Sequence, residues 1–123
     1  LLISGASGSG KSGLALTLMA LGAGLVADDR VRLEARGGAV IASAPAAISG
    51  LIEARGLGLL HAEPVGPVPV FALLDLDCPE TLRLPHPRHT RLLGRPVTLL
   101  LRSETPHFPA ALIQFLRTGQ RTI

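Results

Sequence analysis

The segment Gly5-Ala6-Ser7-Gly8-Ser9-Gly10-Lys11-Ser12 carries the densest chemistry in the chain, and it fits G-x-x-x-x-G-K-[ST] without a mismatch. Each fixed position has a physical cause. The glycines permit backbone conformations that turn successive N–H groups toward one anionic centre. A helix beginning at the end of such a loop adds its positive N-terminal pole to the same point. Lys11 supplies a point charge for β- and γ-phosphates, and the Ser12 hydroxyl is a hard oxygen ligand for Mg²⁺. Residues 5 to 12 together therefore predict a site for ATP with Mg²⁺. Lys11 is also the sole lysine of a chain with eleven arginines, which favours a task that a planar guanidinium cannot fill. A Gly-rich strand-to-helix turn without a ligand would explain the glycines but not the Lys-Ser pair.

Phosphoryl transfer also needs acids. Asp28 and Asp29 follow the apolar Leu25-Val26-Ala27, where a parallel α/β sheet presents residues to its ligand crevice. One carboxylate can orient Mg²⁺ or its waters, and the other can accept a proton from an attacking hydroxyl. An ordinary surface turn, with Asp29 paired to Arg30, is the competing explanation. Asp75 and Asp77, after the apolar run Val70 to Leu74, compete for the metal-orienting role.

The elements that must position these groups are legible in outline. Leu1 to Ile3 reads as a central strand running into the loop, and Ser12 to Leu21 as a first helix, apolar nearly all round and stopped by Gly22 and Gly24. Leu25 to Ala27 reads as a short strand. Val31 to Ala35 and Ala39 to Ser43 form a hairpin around Arg36-Gly37-Gly38. A short helix is expected near Ile48 to Ala54, buried strands over Val68 to Leu76 and Val97 to Leu101, and a final amphipathic helix over Phe108 to Leu116. Asp77 to Pro96, rich in Pro, Arg and His, reads as an irregular surface excursion. The sum is an α/β fold, a P-loop-containing mixed sheet with flanking helices. Residues 1–123 are expected to form a single domain, and the abrupt opening strand leads us to expect further chain upstream of Leu1.

Composition limits the alternatives. The chain has 123 residues, 47% hydrophobic, with a formal net charge of +3. Its arginines are scattered, and with no Trp, no Tyr and three Phe it lacks stacking platforms, so no nucleic-acid partner is expected. The longest uncharged runs, Ser12 to Ala27 and Gly37 to Ile52, fall short of the roughly 20 apolar residues of a membrane helix, and Gly and Pro interrupt them. The start has no basic region or cleavage site of a signal peptide. Cys78, the lone cysteine, excludes an internal disulfide and a Cys-based zinc cluster. A cytoplasmic location is expected.

Three segments together resemble the successive motifs of the HPr kinase/phosphorylase catalytic domain: Gly5 to Ser12, Leu25-Val26-Ala27-Asp28-Asp29-Arg30-Val31, and Leu51-Ile52-Glu53-Ala54-Arg55-Gly56-Leu57-Gly58-Leu59-Leu60. Order and approximate spacing agree, and the third segment is that family's signature. The likeness covers residues 1 to about 62 well and the remainder weakly, as in a short, kinase-domain-only form. It implies an ATP- and Mg-dependent kinase that phosphorylates a serine of the phosphocarrier HPr and can reverse the reaction by phosphorolysis. It implies Asp29 as general base, Ser12 and Glu53 as Mg²⁺ ligands, and Gly56 and Gly58 as points of close approach to the phosphates; that leaves Asp28 of the acidic pair as the carboxylate that orients the metal or its waters. Arg83 is the best match to a downstream catalytic Arg. It also implies a homo-oligomer, a hexamer. The family's catalytic His lies upstream of the loop strand, before this chain begins, and His61, His86, His89 and His107 do not stand in its place. The family loop needed for dephosphorylation has only Leu93-Gly94-Arg95-Pro96 as a poor counterpart. Two other readings stay open: another P-loop phosphotransferase, which should carry a lid of clustered Arg, and a non-catalytic nucleotide sensor with no use for Asp29 as a base.

Overall fold

The computed structural model describes residues 1–119. The chain separates into two compact units, Leu1–Lys11 with the chain from Phe71 onward, and Ser12–Val70. One boundary falls at the Lys11–Ser12 bond, inside the Gly-rich motif.

The first unit is built on a four-stranded sheet in the order β1-β7-β9-β8. Its strands are β1 (Leu2–Ser4), β7 (Ala72–Pro79), β8 (Arg88–Leu92) and β9 (Arg95–Arg102). β7 is parallel to β1 and to β9, whereas β8 is antiparallel to β9, so the sheet is mixed. Alternation explains β7: Ala72, Leu74 and Leu76 are buried on one face, while Leu73 and Asp75 take the other and are partly exposed. Leu74 is wholly inaccessible. Helix α2 (Phe108–Thr118) buries Leu112 and sets Phe115 against Phe71, ring centroids 5.6 Å apart. Gly119 closes it in the left-handed conformation, its N–H bonding the Phe115 carbonyl.

Two expectations change here. Leu1 to Ile3 was expected to be central, yet among the described residues β1 is an edge strand, paired only with β7. The centre belongs to β7 and β9, because no strand from residues 12 to 70 joins this sheet. The segment Asp77 to Pro96 is not irregular throughout. β8 forms a hairpin with β9 through a turn in which Leu93 and Gly94 both have positive φ, 50° and 76°. Its sequence Arg-His-Thr-Arg-Leu hides this, since an edge strand carries charge where a buried one carries apolar groups. The remaining excursion is pinned by Glu80, whose carboxylate accepts the Thr81 and Leu82 N–H groups and both terminal nitrogens of Arg88.

The second unit contains the body of α1 (Lys11–Ala20), with Leu18 buried. A three-stranded sheet in the order β2-β3-β6 joins β2 (Arg32–Arg36), β3 (Ala39–Ser43) and β6 (Val68–Pro69), and β4 (Leu51–Ala54) pairs with β5 (Gly58–His61). The hairpin expected over residues 31 to 43 is present as β2 and β3. The expected strand Leu25 to Ala27 reduces to one bridge, Leu25 to Pro64, with the Val65 N–H bonding the Leu25 carbonyl. The helix expected near Ile48 to Ala54 is instead a single 3-10 turn, Ala46–Ile48, followed by β4. The expected strand Val68 to Leu76 divides into β6 and β7, which belong to different units. The run changes partners there: Pro69 pairs with Ile41 and the Val70 N–H bonds the Val40 carbonyl, whereas Ala72 onward pairs with β9 and, from Leu73, with β1.

Two tests follow from this packing. Leu74→Ala should lower stability by about 2–5 kcal/mol in chemical denaturation, because it leaves a cavity in a closed core; a loss below about 0.5 kcal/mol would show the site to be open. For Glu80, burial pushes its carboxyl upward, but the Leu82 N–H, the Arg88 guanidinium and the Thr81 N–H outweigh it and hold the pKa below 4.5. A depressed folded-state pKa gives stability that is present above the unfolded value and lost as pH falls through the folded one. Thermal midpoints should therefore drop more steeply below about pH 4.5 in the native chain than in Glu80→Gln, and parallel curves would refute this.

Candidate active site

In the first unit, β1 delivers the chain to the loop, with Ser4 Oγ donating to the Leu74 carbonyl at 3.4 Å. The loop turns at Ser7-Gly8, and the Ser9 N–H returns to the Ala6 carbonyl at 3.0 Å. Gly8 and Gly10 have φ of 83° and 96°, a region that side chains disfavour, and no atom lies within 4 Å of where their Cβ atoms would project. Gly5 is needed for the opposite reason. A Cβ there would stand 2.5 Å from Ser9 Oγ and 3.2 Å from Leu76 Cβ, so the loop backbone lies directly against β7.

Lys11 Nζ donates to the Gly5 carbonyl at 2.7 Å and to the Ala6 carbonyl at 3.1 Å. The ammonium is thus folded over the loop. The Ala6 N–H meets both carboxylate oxygens of Asp77 at 3.0 Å, and the Asp77 N–H bonds Asp75 Oδ1 at 2.9 Å. This contact is the feature that sequence reasoning missed, having weighed Asp77 only as a competing metal-orienting acid. Its signal is the parallel register, which sets Ser4 opposite Asp75 and carries Asp77 to the start of the loop.

In the second unit, Ser12 Oγ donates to Asp28 Oδ1 at 2.7 Å, and the Glu53 N–H donates to Asp28 Oδ2 at 2.9 Å. One carboxylate therefore ties the first turn of α1 to β4. The Glu53 side chain is exposed on β4, opposite Leu59, in a hairpin whose turn is Arg55-Gly56-Leu57. Asp29 is exposed, and no hydrogen bond or ion pair engages its carboxylate among the described residues. Arg83 lies in the loop between β7 and β8, where it helps line a cavity of about 1050 Å³ with Leu82, Leu99, Phe108 and Phe115. None of the other expected site residues lines that cavity.

Taken unit by unit, the residues have the chemistry that phosphate and magnesium ask for. Space is open beside Gly8 and Gly10, and Ser9 Oγ is buried with no hydrogen-bond partner, an orphan that a ligand oxygen could satisfy. Ser12, Asp28 and Glu53 offer hard oxygens, and no group of three or more His, Cys, Asp or Glu able to cage a metal occurs among the described residues. Mg²⁺ takes one or two protein oxygens and completes its shell with phosphate and water.

Comparison with known proteins decides the relationship. The model of the HPr Serine kinase C-terminal domain matches residues 1–65. The chain belongs to this family. Among curated relatives, the HPr kinase/phosphorylase of Bordetella pertussis is 52% identical over 65 residues, 52% of this chain and 21% of that protein. That of Clostridium tetani is 48% identical over 60 residues, 49% of this chain and 20% of that protein. The matched stretch is thus about a fifth of the relatives' length. The structure of the Hpr(Ser) kinase/phosphatase from Coxiella burnetii superposes with a TM-score of 0.79 at 25% identity, covering 94% of this chain and 84% of that one. The likeness to the family's fold therefore extends beyond residue 65, where the family model stops. The mixed α/β fold read from the sequence is the one observed.

Lys11→Ala should abolish useful ATP binding, whereas Arg91→Ala, an exposed change on β8, should leave it within about twofold. Titration calorimetry with ATP and Mg²⁺ measures both, and equal affinity in the native chain and Lys11→Ala would remove the nucleotide assignment.

Proposed function

We propose that the chain is the catalytic part of an ATP- and Mg-dependent protein-serine kinase acting on the phosphocarrier HPr. The observations that carry this reading are the Lys11 ammonium folded over the Gly-rich loop and, within the second unit, the Asp28 carboxylate that receives the Ser12 hydroxyl and the Glu53 N–H, in a chain of this family. The relatives are named for both kinase and phosphorylase activity. The kinase direction has the better support here, because Leu93-Gly94-Arg95-Pro96 is taken up by the β8–β9 hairpin turn and the start of β9.

Each residue has a task that its chemistry suits. The loop N–H groups and Lys11 would bind the phosphates and offset their charge. Ser12, Asp28 and Glu53 would hold Mg²⁺, which when bound neutralises charge developing on the β- and γ-oxygens. Asp29 has a carboxylate free of competing donors, as a base requires. It would take the proton from the acceptor serine as that oxygen bonds to the γ-phosphorus and the bond to the ADP oxygen breaks. Arg83 would stabilise charge on the transferring group. Phosphorolysis would run the same proton back from Asp29. A homo-oligomer, hexameric by family likeness, is part of this proposal. A cytoplasmic location accords with the single exposed thiol Cys78. Among the described residues no helix is long and apolar enough to cross a membrane.

Asp29→Asn tests the mechanism, because it keeps the side chain's size but cannot accept the serine proton. With labelled ATP, Mg²⁺ and purified HPr, phosphoryl transfer should fall about 10²- to 10⁴-fold while ATP affinity changes little. Asp28→Asn should act more on the Mg²⁺ dependence. Normal phosphorylation by Asp29→Asn would refute the base assignment, and ATP binding without transfer by the native chain would favour a nucleotide sensor.

A further inference from the structure

Ala6 is held by both of its polar groups. Its carbonyl accepts Lys11 Nζ at 3.1 Å, and its N–H lies 3.0 Å from each oxygen of Asp77. Asp77 is itself fixed. Its N–H bonds Asp75 Oδ1 at 2.9 Å, and Asp75 sits in register with Ser4 on β1 and Leu101 on β9. The residue between them, Leu76, is 4% exposed, and its carbonyl accepts Arg102 Nη1 at 2.7 Å. Gly5 passes so close to Leu76 that a Cβ on it would lie 3.2 Å from Leu76 Cβ. The loop entrance therefore rests on β7, and the polar fastening at that contact is Asp77 to Ala6.

We propose that Asp77 is a positioning residue of the phosphate loop: it orients the Ala6 backbone and, through the Ala6 and Gly5 carbonyls, sets where the Lys11 ammonium is held. This rests on the nucleotide reading above and assigns Asp77 a task different from metal ligation or proton transfer. The geometry favours that division. Both carboxylate oxygens of Asp77 face the same N–H donor, that of Ala6. The charge also argues for a fastening role. A carboxylate beside a phosphate loop repels the phosphates, so it aids binding only through the hydrogen bond it makes.

That contrast supplies the test. Asn at position 77 keeps an oxygen acceptor for the Ala6 N–H and loses the charge, whereas Ala loses both. The Kd for ATP with Mg²⁺ should be measured on the whole chain for the native sequence, Asp77→Ala, Asp77→Asn and Lys11→Ala, with thermal melting of each. One hydrogen bond of ordinary net strength predicts that Asp77→Ala binds about three- to tenfold more weakly, and that Asp77→Asn binds within about twofold of native. In transfer assays the KM for ATP should rise in Asp77→Ala while kcat holds. A lowered melting point in Asp77→Ala with unchanged Kd would make the contact merely structural and overturn the proposal. So would an Asn variant as impaired as the Ala variant, or a defect confined to kcat and Mg²⁺ dependence, since either would assign Asp77 to metal or proton chemistry. If Asp77→Ala does not fold, the Asn variant decides alone: native-like affinity supports the proposal, and weakened affinity overturns it. Lys11→Ala locates any failure. If it abolishes binding while Asp77→Ala does not weaken it, only the Asp77 inference falls. If Lys11→Ala binds like the native chain, the nucleotide reading fails first and takes this one with it.

Discussion

A three-residue strand cannot hold its geometry alone in water, and β1 holds its own through parallel pairing with β7. The partners are far apart in the sequence, Leu2 with Leu73 and Ser4 with Asp75, so closing the loop between them costs chain entropy that local contacts do not return. Burial along β7 supplies the offset, with Ala72, Leu74 and Leu76 packed on one face. Where β1 ends, the same pairing determines how the Gly-rich loop begins. Gly5 lies on Leu76 and Ala6 meets Asp77, so the loop takes its starting direction from a strand about 70 residues later in the chain.

The motif is anchored differently on the two sides of the Lys11–Ser12 bond. Up to Lys11, the anchors are loop carbonyls and β7. From Ser12 onward, the anchor is Asp28, which receives the Ser12 hydroxyl and the Glu53 N–H on separate oxygens. A single carboxylate with two donors on different elements thus joins a helix start to a strand. It also leaves Asp28 and Asp29 unequal. Adjacent in sequence and identical in type, one carboxylate is occupied by two donors and the other is exposed with no partner among the described residues.

How much of this could be read from the sequence follows from the range of the interactions involved. The loop, the helix after it and the β2–β3 hairpin are set by residues close together, through glycine conformation, helical spacing and a Gly-Gly turn, and all were legible. The Leu51 to Leu60 segment kept its motif but not its conformation. Ile52 and Ala54 alternate with Glu53 in a way that suits a strand, yet a helix was the first expectation, because a short apolar run carries no decisive period. β8 was hidden because its pairing with β9 depends on a partner rather than on its own apolar content. The edge position of β1 was not legible either, since strand order is decided by which distant strands arrive beside it. Asp77 was visible as an acid but not as a fastening, a role that exists only once the register of β1 and β7 is known.

The contrast between one lysine and eleven arginines takes on meaning in the structure. Several arginines around the β7–β9 sheet serve as fasteners: Arg88 to Glu80, Arg91 to the Gly94 carbonyl, Arg95 to the Leu93 carbonyl and Arg102 to the Leu76 carbonyl. A guanidinium suits that work, because its planar fork reaches along a strand or turn and its charge stays fixed at any physiological pH. At position 11 the demand differs. An ammonium has three donors arranged tetrahedrally, and two of them are used on the Gly5 and Ala6 carbonyls. The compact group fits a loop in which no atom lies within 4 Å of where Cβ atoms on Gly8 and Gly10 would project. A guanidinium held on the same two carbonyls would project its plane into the space the loop leaves open. The chain's preference for arginine thus ends at the one position where the cation is folded onto two successive loop carbonyls.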